Sequence, residues 1–298
     1  MRILVTGGSG FVGQLLCRYL QERGHVLSVV SRTPDKARRR LPPGCDIRQH
    51  VLDFTDTSPE AIVNLAGESI AGRRWSEAQK QRLRDSRLGI TQDLVTLCSQ
   101  LTTPPGVMVS GSAMGYYGDQ GQRAVDEDTA PHDEFAHRLC AEWEASARGA
   151  EQYGVRVALL RTGLVLDAGG GALQKMLPAF RLGLGGRLGD GRQFMPWIHR
   201  LDLVRSIEFL LRESSLDGPF NGSAPQPVTN AEFTRSLARH LGRPALVPAP
   251  APLLRLALGE MSRLLLTGAD MRPRRLEAAG FTFLYPTLDE AFSAILGQ

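Results

Sequence analysis

The chain has 298 residues, 42% of them apolar and 22% charged, with 32 glycines, 18 prolines and four cysteines. That length suits a domain of about 150–200 residues plus a smaller one. The apolar fraction excludes a disordered chain, and the net charge of +4, not gathered into an arm, argues against nucleic acid as a partner.

No run of about 18 uninterrupted apolar residues offers a spanning helix. The most apolar late stretch, Leu253 to Leu266, is broken by Arg255, Glu260 and Arg263. The opening MRILVTGGSG has an apolar run too short for a secretion signal. Cys17, Cys45, Cys98 and Cys140 lie far apart with no C-x-x-C pair, which speaks against a metal site and for a reducing, cytoplasmic setting. The expectation is a cytoplasmic protein with a small-molecule substrate and neither membrane nor nucleic acid as partner; oligomeric state is not legible.

The elements follow in order. Residues 2 to 6 read as a strand ending in Gly7-Gly8-Ser9-Gly10-Phe11-Val12-Gly13. A helix then places Val12, Leu16, Tyr19 and Leu20 on one face, with Gly24 as its stop. Val26 to Val30 is a second strand, completing a βαβ unit. Ala61 to Leu65 is a buried strand, followed by a helix that Ser76 opens with Gln79 in capping-box spacing. Gly106 to Ser110 and Val155 to Leu160 are further strands, separated by a helix from Phe135 to Gln152. The latter strand is almost wholly apolar, as a parallel sheet covered on both faces requires.

Beyond residue 165 come glycine-rich loops (Gly169-Gly170-Gly171 and Gly183 to Gly191), a helix at Leu201 to Arg212, a short strand near Phe220 and a Thr229/Glu232 capping box. Pro244 to Pro252 reads as a semi-rigid connector. The fold expected is α/β: a Rossmann-type doubly wound parallel sheet with a smaller C-terminal α+β substrate lobe. Residues 1–165 form the nucleotide-binding domain, segments near 201–222 return to it, and 166–298 supply mainly the lobe and a C-terminal extension.

Three signals carry chemistry. Glycines at 7, 10 and 13 allow a tight turn, close approach of backbone to a pyrophosphate and close helix–strand packing, and the helix N-terminus faces the phosphates. At the end of the next strand, where an NAD site places Asp or Glu, stand Ser31 and Arg32. A carboxylate repels a 2′-phosphate, whereas a guanidinium pairs with it and a serine donates to it, so the coenzyme expected is NADP(H). Lys36 and Arg38 add positive potential there; Arg39 and Arg40 read as solvated. The third signal is Ser110-Gly111-Ser112-Ala113-Met114-Gly115-Tyr116-Tyr117 at the carboxyl end of a strand, where open α/β sheets bind ligands.

Together with Asn64 to Ile70 (NLAGESI), Arg73-Arg74-Trp75, Asp85-Ser86-Arg87, Gly169 to Leu177, Gly185 to His199, Asn221 and Tyr285 to Leu288, these motifs resemble the extended short-chain dehydrogenase/reductase family of NAD(P)-dependent epimerase/dehydratase type, in its subgroup of YfcH-type epimerase-family proteins. The resemblance implies that Gly7, Gly10, Phe11, Val12, Gly13, Ser31, Arg32, Leu65, Ala66 and Gly67 contact NADP(H), and that Ser112 is the hydroxyl that meets a substrate carbonyl or alcohol.

The family's Tyr-x-x-x-Lys acid/base pair is missing. The only lysines are Lys36, Lys80 and Lys175, and four residues before them stand Arg32, Ser76 and Gly171. After Pro131 the tyrosine place holds Phe135 and the lysine place Leu139. Tyr116 or Tyr117 is then the candidate proton donor; substrate or water is another carrier. His199 is titratable near neutral pH or a structural histidine at the lobe junction, Trp197 reads as core, and Arg192 and Gln193 form a substrate-phosphate clamp or a solvated loop. The function expected is an NADP(H)-dependent oxidoreductase or epimerase on an unknown nucleotide-sugar or small carbonyl substrate. The alternative is a non-catalytic NADP(H) sensor or scaffold.

Overall fold

A computed structural model describes residues 1–297. The first half reads β1 (Arg2–Thr6), α1 (Phe11–Glu22), β2 (Val26–Val30), α2 (Pro34–Arg38), β3 (Asp46–Arg48), β4 (Ala61–Asn64), α3 (Glu77–Gln100), β5 (Val107–Ala113), β6 (Ala124–Val125), α4 (Phe135–Arg148) and β7 (Arg156–Thr162). The second half reads β8 (Leu164–Leu166), α5 (Gly171–Arg181), β9 (Phe194–Met195), β10 (Trp197–His199), α6 (Arg200–Arg212), β11 (Gly218–Gly222), β12 (Val228–Thr229), α7 (Asn230–His240), α8 (Ala251–Leu258), α9 (Arg263–Leu266), β13 (Asp270–Met271), α10 (Arg274–Ala278) and α11 (Leu288–Leu296).

Seven parallel strands form the main sheet in the order β11-β7-β5-β4-β1-β2-β3. The order reverses between β1 and β4, the place where open α/β sheets bind ligands, outside the carboxyl ends of the strands. One buried cluster packs α1 and α6 on one face, around Leu16, Leu20, Val204 and Ile207; another packs α3 and α4 on the opposite face, around Leu94, Leu97 and Ala147. The fold is therefore the doubly wound Rossmann-like sheet that the alternation of strands and helices implied. A third cluster, built on Leu173, Phe180, Trp197, Phe233 and Phe292, forms the core of the later chain.

Local chemistry explains several boundaries. Gly24 takes φ +80° and ends α1. The helix read from 135 to 152 stops being α-helical at Arg148 and continues as a 3-10 turn over Gly149–Tyr153. The Ser76 cap of α3 is half a box: its hydroxyl accepts the Gln79 N–H, but the Gln79 side chain turns away to Glu68 and Arg82. Thr229 and Glu232 form the full box at α7.

The stretch read as a semi-rigid connector is tied down along its length. Val247 and Ala249 donate backbone N–H groups to Gly185 and Arg187, laying the segment along the 183–191 loop. A Cβ on Gly186 would sit 2.0 Å from the Val247 carbonyl oxygen, so only glycine lets the two chains touch.

Candidate functional site

The glycine turn leads straight into α1. Gly7 holds φ +71°, and a Cβ there would lie 2.6 Å from the Leu65 carbonyl oxygen. The β1 and β4 loops thus touch, bringing Gly7 against the backbone of Leu65 and Ala66. A Cβ on Gly13 would stand 2.2 Å from the Gly7 oxygen, so the close helix approach also demands glycine. No side chain caps α1 and no acidic residue lies in its first turn, so its leading N–H groups are left for an anion. The Phe11 ring is engaged elsewhere: it packs on Gly170 and lies 4.5 Å beneath the Arg200 guanidinium, so any coenzyme contact of Phe11 runs through its backbone.

At the end of β2, Ser31 is buried and its Oγ accepts the Thr33 N–H at 3.3 Å, which leaves its own proton to donate. Arg32 is exposed and makes no ion pair or hydrogen bond among the described residues. Arg38, by contrast, is paired with Asp35 at 2.6 Å, so of the two guanidiniums Arg32 is the free one.

Strand register carries a polar row across the sheet. Thr6, Asn64 and Ser110 lie side by side on β1, β4 and β5; two residues on, hence on the same face, Ser112, Arg161 and Asn221 lie side by side on β5, β7 and β11. Thr6 Oγ1 donates to Asn64 Oδ1 at 2.7 Å, and Asn64 Nδ2 donates to Thr91 and Ser110.

In the second row, Ser112 is 5% exposed and its Oγ donates to Glu144 Oε1 at 2.7 Å. Glu144 receives Arg161 through Nε at 2.9 Å and Nη2 at 3.0 Å, a bidentate pair with both side chains buried. Because the Ser112 proton points at a carboxylate, its lone pairs are free to accept a hydrogen bond from a substrate hydroxyl. Glu144 and Arg161 were missed by sequence reasoning. The available signals were an arginine in the otherwise apolar run VALLRT and a glutamate on the apolar face of α4.

Other expectations need correction. Tyr117 is fully buried; its hydroxyl donates to Asn221 Oδ1 at 2.6 Å and accepts from Arg161, and burial pushes its pKa up to about 12. It belongs to the core and not to the cleft. Tyr116 is half-buried, its ring 3.4 Å from the Arg161 guanidinium, with no hydrogen bond to its hydroxyl among the described residues. It remains the candidate tyrosine.

Gln193 is buried and donates its amide to the Leu188 and Leu265 carbonyls, so it clamps a loop and not a phosphate; Arg192 is exposed beside it. His199 caps α6, its Nδ1 accepting the Leu201 N–H at 3.1 Å while its ring lies tilted at 40° against Tyr285, centroids 3.9 Å apart; burial lowers its pKa, so it is a neutral cap and not an acid. Phe135 and Leu139, where the acid/base pair was absent, pack against Leu83, Ile70 and Trp75. Arg87 reaches that region from α3, donating to the Glu68 carbonyl behind Gly67 and lying 5.2 Å from the Trp143 ring.

Glu127 adjoins the second row. Its Oε1 accepts the Asn221 and Arg275 N–H groups, Oε2 has no partner among the described residues, and burial raises its pKa. A carboxyl whose folded value is raised stabilises the fold fully below its ordinary value and loses that contribution as pH rises through the raised one. The unfolding free energy of wild type minus that of Glu127→Gln, from urea titrations at several pH values, is therefore expected to fall across that window. A flat or rising difference refutes the assignment.

No helix of the described residues is long and apolar enough to cross a membrane. The NAD dependent epimerase/dehydratase family model matches residues 3–221, and a domain of unknown function (DUF1731) matches 249–295. The chain is 42% identical over 295 residues to the epimerase family protein MT2273 of Mycobacterium tuberculosis, covering 97% of this chain and 95% of that one. A crystal structure of human epimerase family protein SDR39U1 (isoform2) with NADPH superposes with a TM-score of 0.90 at 36% identity, covering 100% of both chains. UDP-glucose 4-epimerase from Thermotoga maritima, at 20% identity, a TM-score of 0.80 and coverage of 100% of this chain and 98% of that one, shares the fold. By its sequence, its sheet and its glycine turn, the chain belongs to the NAD-dependent epimerase/dehydratase family.

Proposed function

We propose that this chain binds NADP(H) and acts as an oxidoreductase or epimerase-like enzyme on a carbonyl or alcohol substrate. The observation that carries the coenzyme is the unpaired Arg32 beside Ser31 at the end of β2, opposite an uncapped α1. The NADPH of the human relative supports it. Gly7, Gly10, Phe11, Val12 and Gly13 hold the pyrophosphate by backbone, Leu65, Ala66 and Gly67 form the facing wall, and Ser31 and Arg32 take the 2′-phosphate. Residues 1–165 with the 201–222 segments form this coenzyme domain and 166–298 mainly the substrate lobe; the setting is the cytoplasm.

When bound, NADP(H) gives a hydride to a carbonyl carbon or takes one from an alcohol. Ser112 accepts a hydrogen bond from the substrate hydroxyl while Glu144, fixed by Arg161, holds the serine in orientation, and the proton released as the alcohol is oxidised passes to water. Tyr116 supplies the second polar contact. In purified protein incubated with NADPH and a carbonyl panel, Ser112→Ala is expected to lose turnover by about 100-fold or more, with coenzyme affinity retained. Turnover unchanged by Ser112→Ala overturns the catalytic assignment. A second reading, an NADP(H)-dependent sensor or scaffold, is favoured by the buried Phe135 and Leu139, neither of which moves a proton. It predicts coenzyme binding with no NADPH oxidation across the panel.

A further inference from the structure

A cavity of about 490 Å³ is lined by Met114 of the loop after β5 and by residues of the later chain, a size that takes a drug-sized ligand. Two of its wall residues follow closely on the ends of β5 and β7. Met114, two residues past Ser112, and Leu164, two past the end of β7, stand on its wall; Met176 and Phe180 of α5 continue it.

Its chemistry is lopsided. Only Lys175, Gln193 and Thr267 bring polar side chains to the lining. The Gln193 amide is used by the Leu188 and Leu265 carbonyls, and the Thr267 hydroxyl donates to the Arg263 carbonyl at 2.8 Å. Lys175 is exposed on α5 and has no hydrogen bond or ion pair among the described residues. Sugar hydroxyls and a base edge placed here would forfeit their water without replacement partners, a loss that rejects polar ligands. An apolar body gains by burial.

The mouth has the same character. Leu184 and Val247 line the cavity yet are 58% and 51% exposed. Next to them α8, which buries none of its residues, shows Leu253 and Leu256 to solvent. An apolar rim of this kind is what an apolar ligand covers on entry.

We propose that this cavity takes the apolar body of a carbonyl or alcohol compound whose single anionic end rests on Lys175, and that it does not take a nucleotide sugar. The proposal names the substrate class of the oxidoreductase reading above and rests on that reading for its chemistry, though not for binding. An ammonium at the rim attracts one carboxylate or phosphate without having to be desolvated. The apolar lining then selects the remainder of the molecule by area and shape alone.

Calorimetric titration of the full chain, loaded with NADP⁺, against decanoate, 1-decanol and UDP-glucose tests this. Decanoate and decanol are expected to bind and UDP-glucose to give no heat. Lys175→Glu should weaken decanoate by about tenfold and leave decanol unchanged. Ala179→Trp, which fills the cavity from an exposed α5 position, should weaken both. Melting temperatures of the two variants are expected to match wild type. Uptake of UDP-glucose without decanoate, or decanoate binding indifferent to both substitutions, overturns the proposal. NADP⁺ titrated into coenzyme-free protein of the same preparation, and decanoate titrated into that protein as well, separate the two claims. Coenzyme uptake without decanoate sinks the cavity assignment alone, and decanoate uptake without coenzyme sinks the coenzyme reading alone.

Discussion

Arg161→Ala is expected to lower the unfolding free energy by about 3–5 kcal/mol, because it leaves a buried carboxylate without its counter-charge. Arg161 spends its donors on Glu144 twice, on the Tyr117 hydroxyl and on the Glu127 carbonyl, and it lies against the Tyr116 ring. Neither partner of the ion pair has more than 7% of its side chain exposed. Removing the guanidinium therefore strands Glu144, frees the Tyr117 loop and lets Ser112 turn. In a chain of this size the melting temperature should drop by about 10 °C in calorimetry. Replacing both members, Arg161→Met with Glu144→Met, should restore part of the loss, since a buried ion pair is often no better than an apolar pair of similar volume. A loss under about 1 kcal/mol for Arg161→Ala would show that water reaches Glu144 and that the row is not buried as described.

The second large effect belongs to the coenzyme. Arg32→Glu should weaken NADPH by about 100-fold, because a charge-assisted bond to phosphate is lost and a repulsion is put in its place. NADH, which lacks the 2′-phosphate, should bind the variant at least as well as wild type, its ribose hydroxyls now facing a carboxylate. Stability should be untouched, since Arg32 is exposed and unpaired. Fluorescence titration with both reduced coenzymes reads the two affinities on one sample. Equal weakening of NADPH and NADH would mean that Arg32 acts on the loop and not on the phosphate.

The parts of the molecule legible in the sequence are those where one local rule decides. The strand–glycine–helix start reads directly, because Gly7, Gly10 and Gly13 each occupy a place that a Cβ would spoil or strain. The Thr229/Glu232 box reads because both partners lie within one turn. Partners distant in sequence do not read. Glu144 and Arg161 meet from α4 and β7, and neither spacing nor composition announces an ion pair across those elements. Tyr116 and Tyr117 are adjacent letters with opposite fates: a 3-10 turn over Met114–Tyr116 leaves the first half-buried and drives the second into the core against Asn221, 104 residues away. His199 and Gln193 look like chemistry and serve as a helix cap and a loop clamp, because their backbone partners are set by tertiary packing. The proline run looks like a spacer, yet its free N–H groups find the glycine loop.

The coenzyme is the claim on which the remainder depends, and calorimetric titration of the unmodified chain with NADPH and with NADH, at one ionic strength, tests it most directly. Saturable binding of NADPH at least tenfold tighter than NADH is the predicted result; no heat with NADPH, or tighter binding of NADH, would contradict it.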